Sequence, residues 1–153
     1  MEKGERAPDF ELPDETGTPR RLSDLVSQGP VVLFFYSAAF TSGCTKESCH
    51  FRDLGAAFKA SGVQRVGISA DPVDKQREFS KANSFDYPLL SDADRTVATA
   101  YGVRRSLLSP VKRVTFVIDT DQVIRRVISS ELKMDVHADE ALAAAEELPR
   151  AAG

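Results

Sequence analysis

The stretch Val31-Val-Leu-Phe-Phe-Tyr36 constrains this chain more than any other. Its residues are apolar at odd and even positions alike, rich in β-branched and aromatic types, and too few for a typical helix. A strand of that kind is covered on both faces, so the chain must supply apolar layers above and below it.

The segments around it can supply those layers. After a short polar loop, Thr45 to Ser61 places Cys49, Phe51 or Arg52, Leu54, Ala57 and Phe58 at mixed three- and four-residue spacings. It ends at Gly62, which predicts a helix with glycine just past its last turn. Val63 to Ala70 is a second predicted strand. Asp71-Pro72 predicts an N-cap and a first-turn proline for a helix reaching about Ser84. A short apolar piece at 87–90 leads into a helix from about Asp94 to Tyr101, closed by Gly102. Val114 to Asp119 and Val123 to Ser129 form a hairpin, and Ala138 to Leu148 a last helix. Phe10 to Leu12 and Arg20 to Leu22 flank Asp14-Glu-Thr-Gly17 as a small extra hairpin. The expected fold class is α/β: a thioredoxin-like mixed sheet with helices on both faces and a short N-terminal β-hairpin.

The chain has 153 residues, 42% hydrophobic and 28% charged, with no repeat or linker, so a single domain over 1–153 is expected. A domain of that size buries roughly 70% of its unfolded surface and needs no disulfide or structural metal for stability. Two cysteines, Cys44 and Cys49, are too few for a secreted disulfide scaffold or a four-cysteine zinc site, and His50 and His137 have no metal-binding spacing. A net charge of -3 offers no basic footprint for nucleic acid. The pairs Arg20-Arg21, Arg104-Arg105, Lys112-Arg113 and Arg125-Arg126 read as solvated surface. No apolar h-region opens the chain, and its longest apolar run is far below the roughly 18 residues of a membrane span. A cytoplasmic protein with no membrane partner is expected, with free thiols as the default.

Cys44 lies between the end of the central strand and the start of a helix. Ligands collect beyond the carboxyl ends of strands, and a helix N-terminus offers unpaired N–H groups and partial positive charge. Both favour the thiolate, the nucleophilic form. Gly43 permits close approach, and the Thr41 hydroxyl lies three residues upstream. An inert buried thiol is the alternative that location alone leaves open. Cys49 is five residues on, which in an intact helix separates the Cα atoms by about 8.5 Å. A disulfide needs them within about 6.8 Å, so the pair bonds only if the first turns unwind. Position 47 is Glu, so the Cys-X-X-Cys dithiol motif is absent. Cys49 as a small core residue also remains open.

The stretch FFYSAAFTSGCTKESCHFRD resembles the active-site signature of the peroxiredoxins, in particular the Q-type or bacterioferritin-comigratory-protein branch. That signature is Pro-X-X-X-Thr-X-X-Cys with a second cysteine five residues on. APDFELPDETGTPRRLSDL, VGISADPVDKQREF, FDYPLLSD, YGV and RVTFVID are similar to the same branch, so the resemblance covers about residues 4–148. It implies a peroxidatic Cys44, a resolving Cys49, an active-site Thr41 and an active-site Arg113 that opens the RVTFVID strand. Glu47 falls where many members carry a side chain that helps hold the arginine. Ser37 replaces the proline that opens the motif, and Ser42 a proline common in the branch; serine adds a hydroxyl, an N–H and backbone freedom there. The implied activity is reduction of hydrogen peroxide and organic hydroperoxides through a sulfenic acid, an intramolecular disulfide and a thioredoxin-like reductant. It implies no metal, flavin or haem, and a monomer or weak homodimer. A general thiol-disulfide oxidoreductase, or a peroxide sensor or binding module with weakened catalysis, are the rival readings.

Overall fold

The computed structural model describes residues 1–104, 111–130 and 133–148. Its centre is a five-stranded sheet in the order β5-β4-β3-β6-β7. The strands are β3 (Val31–Phe35), β4 (Gln64–Ser69), β5 (Leu89–Ser91), β6 (Val114–Ile118) and β7 (Ile124–Ser129). β3 pairs in parallel with β4, and β4 with β5, whereas β6 runs antiparallel to both β3 and β7. Outside this sheet, β1 (Glu11–Pro13) and β2 (Pro19–Arg21) form the N-terminal hairpin. Its turn is held by Asp14, whose carboxylate accepts from the Thr16 and Thr18 N–H groups and from Arg20.

The double-sided character of β3 sorts the molecule into two apolar layers. Val31, Leu33 and Phe35 join Phe10, Leu22, Leu25, Val97, Tyr101 and Phe116 on one side. Val32, Phe34 and Tyr36 join Cys44, Phe51, Phe58, Phe79, Ala138 and Ala141 on the other. The strand period of two makes this division. Phe34 and Phe51 stack with centroids 4.2 Å apart, fastening the following helix to the sheet. β6 obeys the same parity: Val114, Phe116 and Ile118 belong to the first layer and Val117 to the second.

Several helix boundaries differ from the sequence expectation. The helix after β3 starts at Ser42 rather than Thr45 and divides at Leu54, whose φ of -89° and ψ of 12° interrupt it, into α2 (Ser42–Asp53) and α3 (Gly55–Ala60). α1 (Leu22–Val26) follows β2 directly; its N-cap Arg21 makes no capping bond, so no cap announced it. α4 (Val73–Asn83) has Pro72, not Asp71, at its N-cap, because the Asp71 carboxylate is engaged elsewhere. α5 (Thr96–Ala100) is capped from a distance by Asp92, which accepts from the Val97 and Ala98 N–H groups. α6 (Met134–Glu147) begins one turn before the expected Ala138, which brings His137 into the helix.

Of the basic pairs, Arg20, Arg21, Lys112 and Arg126 are exposed, while Arg104, Arg113 and Arg125 are half-buried and Arg105 lies outside the described residues. Among the described residues no helix is long and apolar enough to cross a membrane.

Candidate active site

β3 ends at Phe35, and Tyr36 extends the ladder by one bond, donating from its N–H to the Ile68 carbonyl. The chain then turns through 37–40 into Thr41, the extended N-cap of α2 (φ -76°, ψ 149°). Cys44 is therefore the third residue of the helix, within the turn whose backbone N–H groups have no intrahelical partner. Its side chain belongs to the second apolar layer and has no exposed surface.

Polar groups converge on the Cys44 sulfur. The Ser37 hydroxyl is 3.2 Å from Sγ. Burial pushes the Cys44 thiol up, but the Ala38 backbone, the Ser37 and Thr41 hydroxyls and the Arg113 side chain outweigh it and hold the thiol below its ordinary value. The helix N-terminus adds to the same preference for thiolate. The Thr41 hydroxyl donates to the Ala38 carbonyl at 2.9 Å. One hydroxyl hydrogen cannot serve two acceptors fully, so Thr41 donates to the sulfur, or to an oxygen beside it, by rotating off Ala38.

Arg113 immediately precedes β6 and is half-buried. Alternation along the strand puts it on the same face as Thr115 and Val117, the face carrying α2, and so within reach of Cys44. Glu47 sits one turn beyond Cys44, completely buried, with Oε2 3.8 Å from Nε2 of the equally buried His137. Gly43 is half-buried in the same first turn. Cys49 lies further along α2, half-buried, and its thiol donates to Oδ1 of Asn83 at the end of α4, at 3.5 Å. Both cysteines are free thiols. The folded chain thus gathers Ser37, Thr41 and Arg113 around Cys44, sets Glu47 one turn away, and occupies Cys49 with a partner on another helix.

Two features of the loop were not read from sequence. Asp71, two residues past the end of β4, accepts the Ala39 N–H at 2.7 Å and the Ser69 hydroxyl at 2.7 Å, fixing the loop before Cys44. Behind it, Tyr36 donates to Gln76 at 2.5 Å, and the Gln76 amide donates to Ser69 and to the Leu90 carbonyl. The signal was available in principle: β3 and β4 are parallel neighbours, so the residues after each lie side by side. The second feature is Phe40, whose φ of 65° is unusual for a bulky residue. It is 51% exposed, next to Thr41, and its ring packs at a tilt against Phe79 with centroids 5.2 Å apart. Among the described residues no group of three or more His, Cys, Asp or Glu is placed to hold a metal ion.

Comparisons with known proteins bear on this geometry. The family model described as AhpC/TSA matches residues 3–127. The crystal structure of peroxidoxin BcpB from Mycobacterium tuberculosis superimposes with a TM-score of 0.94 at 61% identity, covering 97% of this chain and 99% of that one. The bacterioferritin comigratory protein of Xanthomonas campestris, described for its alkyl peroxide reduction activity, has a TM-score of 0.82 at 27% identity over 90% of each chain. Chloroplastic peroxiredoxin Q of Sedum lineare is 38% identical over 141 residues, which are 92% of this chain and 75% of that protein. A buried, thiolate-favouring cysteine in the first turn after the central strand agrees with what these matches establish: the chain belongs to the AhpC/TSA family and, within it, to the Q-type peroxiredoxins.

Proposed function

We propose that Cys44 is the peroxidatic nucleophile of this thiol peroxidase, that Cys49 is its resolving thiol, and that Thr41 and Arg113 hold the peroxide, supported by Gly43, Ser37 and Glu47. The observation that carries the assignment is the gathering of hydroxyl, backbone and guanidinium groups on one buried sulfur, with the thiol held low despite burial. In the reaction the Cys44 thiolate attacks one peroxide oxygen. An S–O bond forms, the O–O bond breaks, and the departing oxygen takes a proton to leave as water or an alcohol. Sulfur is oxidised to the sulfenic acid as the peroxide is reduced. Arg113 and the Thr41 hydroxyl stabilise the charge developing on the leaving oxygen.

Cys49 then attacks the sulfenic sulfur, forming the S–S bond and expelling the oxygen as water. With α2 intact, five residues separate the Cα atoms by about 8.5 Å, so the first turns must open for this step. Opening also breaks the Cys49 contact with Asn83. A dithiol reductant of the thioredoxin type exchanges with the disulfide and restores both thiols. Substrates are hydrogen peroxide and organic hydroperoxides; the exposed Phe40 ring beside Thr41 offers an apolar surface to an organic tail. The enzyme acts as a monomer or weak homodimer.

Rapid mixing of the reduced protein with hydrogen peroxide and an organic hydroperoxide, followed by mass measurement, tests the scheme. The wild type should lose two hydrogens as the disulfide forms. Cys49→Ser should gain one oxygen and fail to cycle with thioredoxin, and Cys44→Ser should be inert. Retained turnover in Cys44→Ser would remove the assignment.

A further inference from the structure

His137 has no exposed surface, and its ring touches three separate elements. Nδ1 is 2.9 Å from the Thr115 hydroxyl on β6. Nε2 is 2.8 Å from the Ser130 carbonyl, just past β7. A carbonyl only accepts, so Nε2 carries a hydrogen. That same hydrogen-bearing nitrogen is 3.8 Å from Oε2 of Glu47, also without exposed surface, on α2. A carboxylate buried this completely is costly unless a donor or opposite charge faces it. Thr115 lies two residues beyond Arg113 on the same strand face. One imidazole therefore braces the strand that carries Arg113 and, at the same time, the helix turn that follows Cys44.

We infer that His137 is a positioning residue of the peroxidase: by facing the Glu47 carboxylate while bonded to Thr115 and Ser130, it fixes the helix turn after Cys44 relative to the Arg113 strand. The inference rests on the assignment of Cys44 as the peroxidatic residue. It gives the C-terminal helix α6 a part in the chemistry, exerted through Glu47 and Thr115. The surface pair His50 and Asp139, 2.7 Å apart, links α2 to α6 a second time and leaves the buried contact as the one directed at the site.

The test is a mutant cycle with Glu47, read in single turnover by separating sulfenic acid formation from disulfide formation. His137→Asn removes the donor at the Nε2 position. It should slow sulfenic acid formation by on the order of tenfold, about 1.4 kcal/mol in the barrier, without slowing the later disulfide step. In a Glu47→Gln background the same change should have no additional effect on the oxidation rate. His137→Gln, whose amide nitrogen replaces Nε2, should recover most of the rate. Unchanged oxidation in His137→Asn, or an effect that simply multiplies with that of Glu47→Gln, overturns the inference. If His137→Asn does not fold, the wild-type ring still decides. In Cys49→Ser, where His50 and His137 are the only imidazoles, the His137 resonances should shift when Cys44 is oxidised, and an unmoved signal overturns the inference equally. Turnover that survives in Cys44→Ser would instead defeat the underlying assignment and is separately recognisable.

Discussion

Ser37→Ala removes the hydroxyl 3.2 Å from the Cys44 sulfur and leaves the other groups around it in place. Because Cys44 has no exposed surface, water does not readily take over the lost donation. A hydrogen bond to a charged group contributes about 1.5–3 kcal/mol. Taking the low end for a diffuse sulfur acceptor gives about 1.5 kcal/mol, a roughly tenfold shift of the equilibrium from thiolate towards thiol. Thiolate absorbance followed against pH should show the Cys44 titration moved upward. Oxidation by hydrogen peroxide should be about tenfold slower at pH values below the wild-type titration and should return to the wild-type rate above the variant's own. Stability follows the same sign. The folded-state titration of Cys44 lies below its ordinary value of 9.0, so the advantage of wild type over the variant is present above pH 9.0 and fades as pH falls through the lowered value. Ser37→Pro also lacks the hydroxyl and should titrate as Ser37→Ala does, whatever its ring adds in rigidity. An unmoved titration, or an equal loss of rate at every pH, would refute the argument that Ser37 acts by stabilising the thiolate.

Two further predictions concern stability. Asp86 receives both guanidinium nitrogens of the buried Arg65, each at 2.9 Å, and this bond, which outweighs the cost of burial, lowers its titration from 3.8 to about 2. The shift corresponds to about 2 kcal/mol, reduced by solvent screening of a carboxylate 39% exposed to about 1 kcal/mol. It stabilises the fold above pH 3.8 and fades as pH falls through about 2, so Asp86→Asn should cost about 1 kcal/mol in denaturant melts at pH 7 and only a small fraction of that at pH 2; an equal cost at both would contradict the linkage. Gly67 lies on β4, where an added Cβ would sit 2.8 Å from Leu89 Cδ2 and 2.9 Å from Phe34 Cζ. Gly67→Ala should therefore destabilise by about 1–3 kcal/mol in urea unfolding, and a neutral result would mean that the aromatic layer yields easily.

The sequence by itself determined the parts that depend on local pattern. An apolar run without alternation specified β3 and both of its layers, because period-two geometry leaves no other way to bury it. The strand-to-helix position of Cys44, the turn chemistry of Asp14 to Gly17 and the hairpin of β6 and β7 were likewise legible within a few residues. Helix starts were less so: α1 and α6 have N-cap residues, Arg21 and Lys133, that make no side-chain capping bond, so nothing local marks them. Asp71 shows the limit most clearly. Its place before Pro72 reads as a helix cap, yet its carboxylate is taken by the Ala39 N–H, thirty-two residues away in sequence. Only the tertiary structure decided that bond, the reach of Arg113 to Cys44, the occupation of Cys49 by Asn83 and the burial of His137 against Glu47. Each joins elements that the chain order separates and the parallel or antiparallel pairing of the sheet brings together. The position of Cys44 could be read along the chain, but the groups that lower its titration include Arg113, a neighbour only in space.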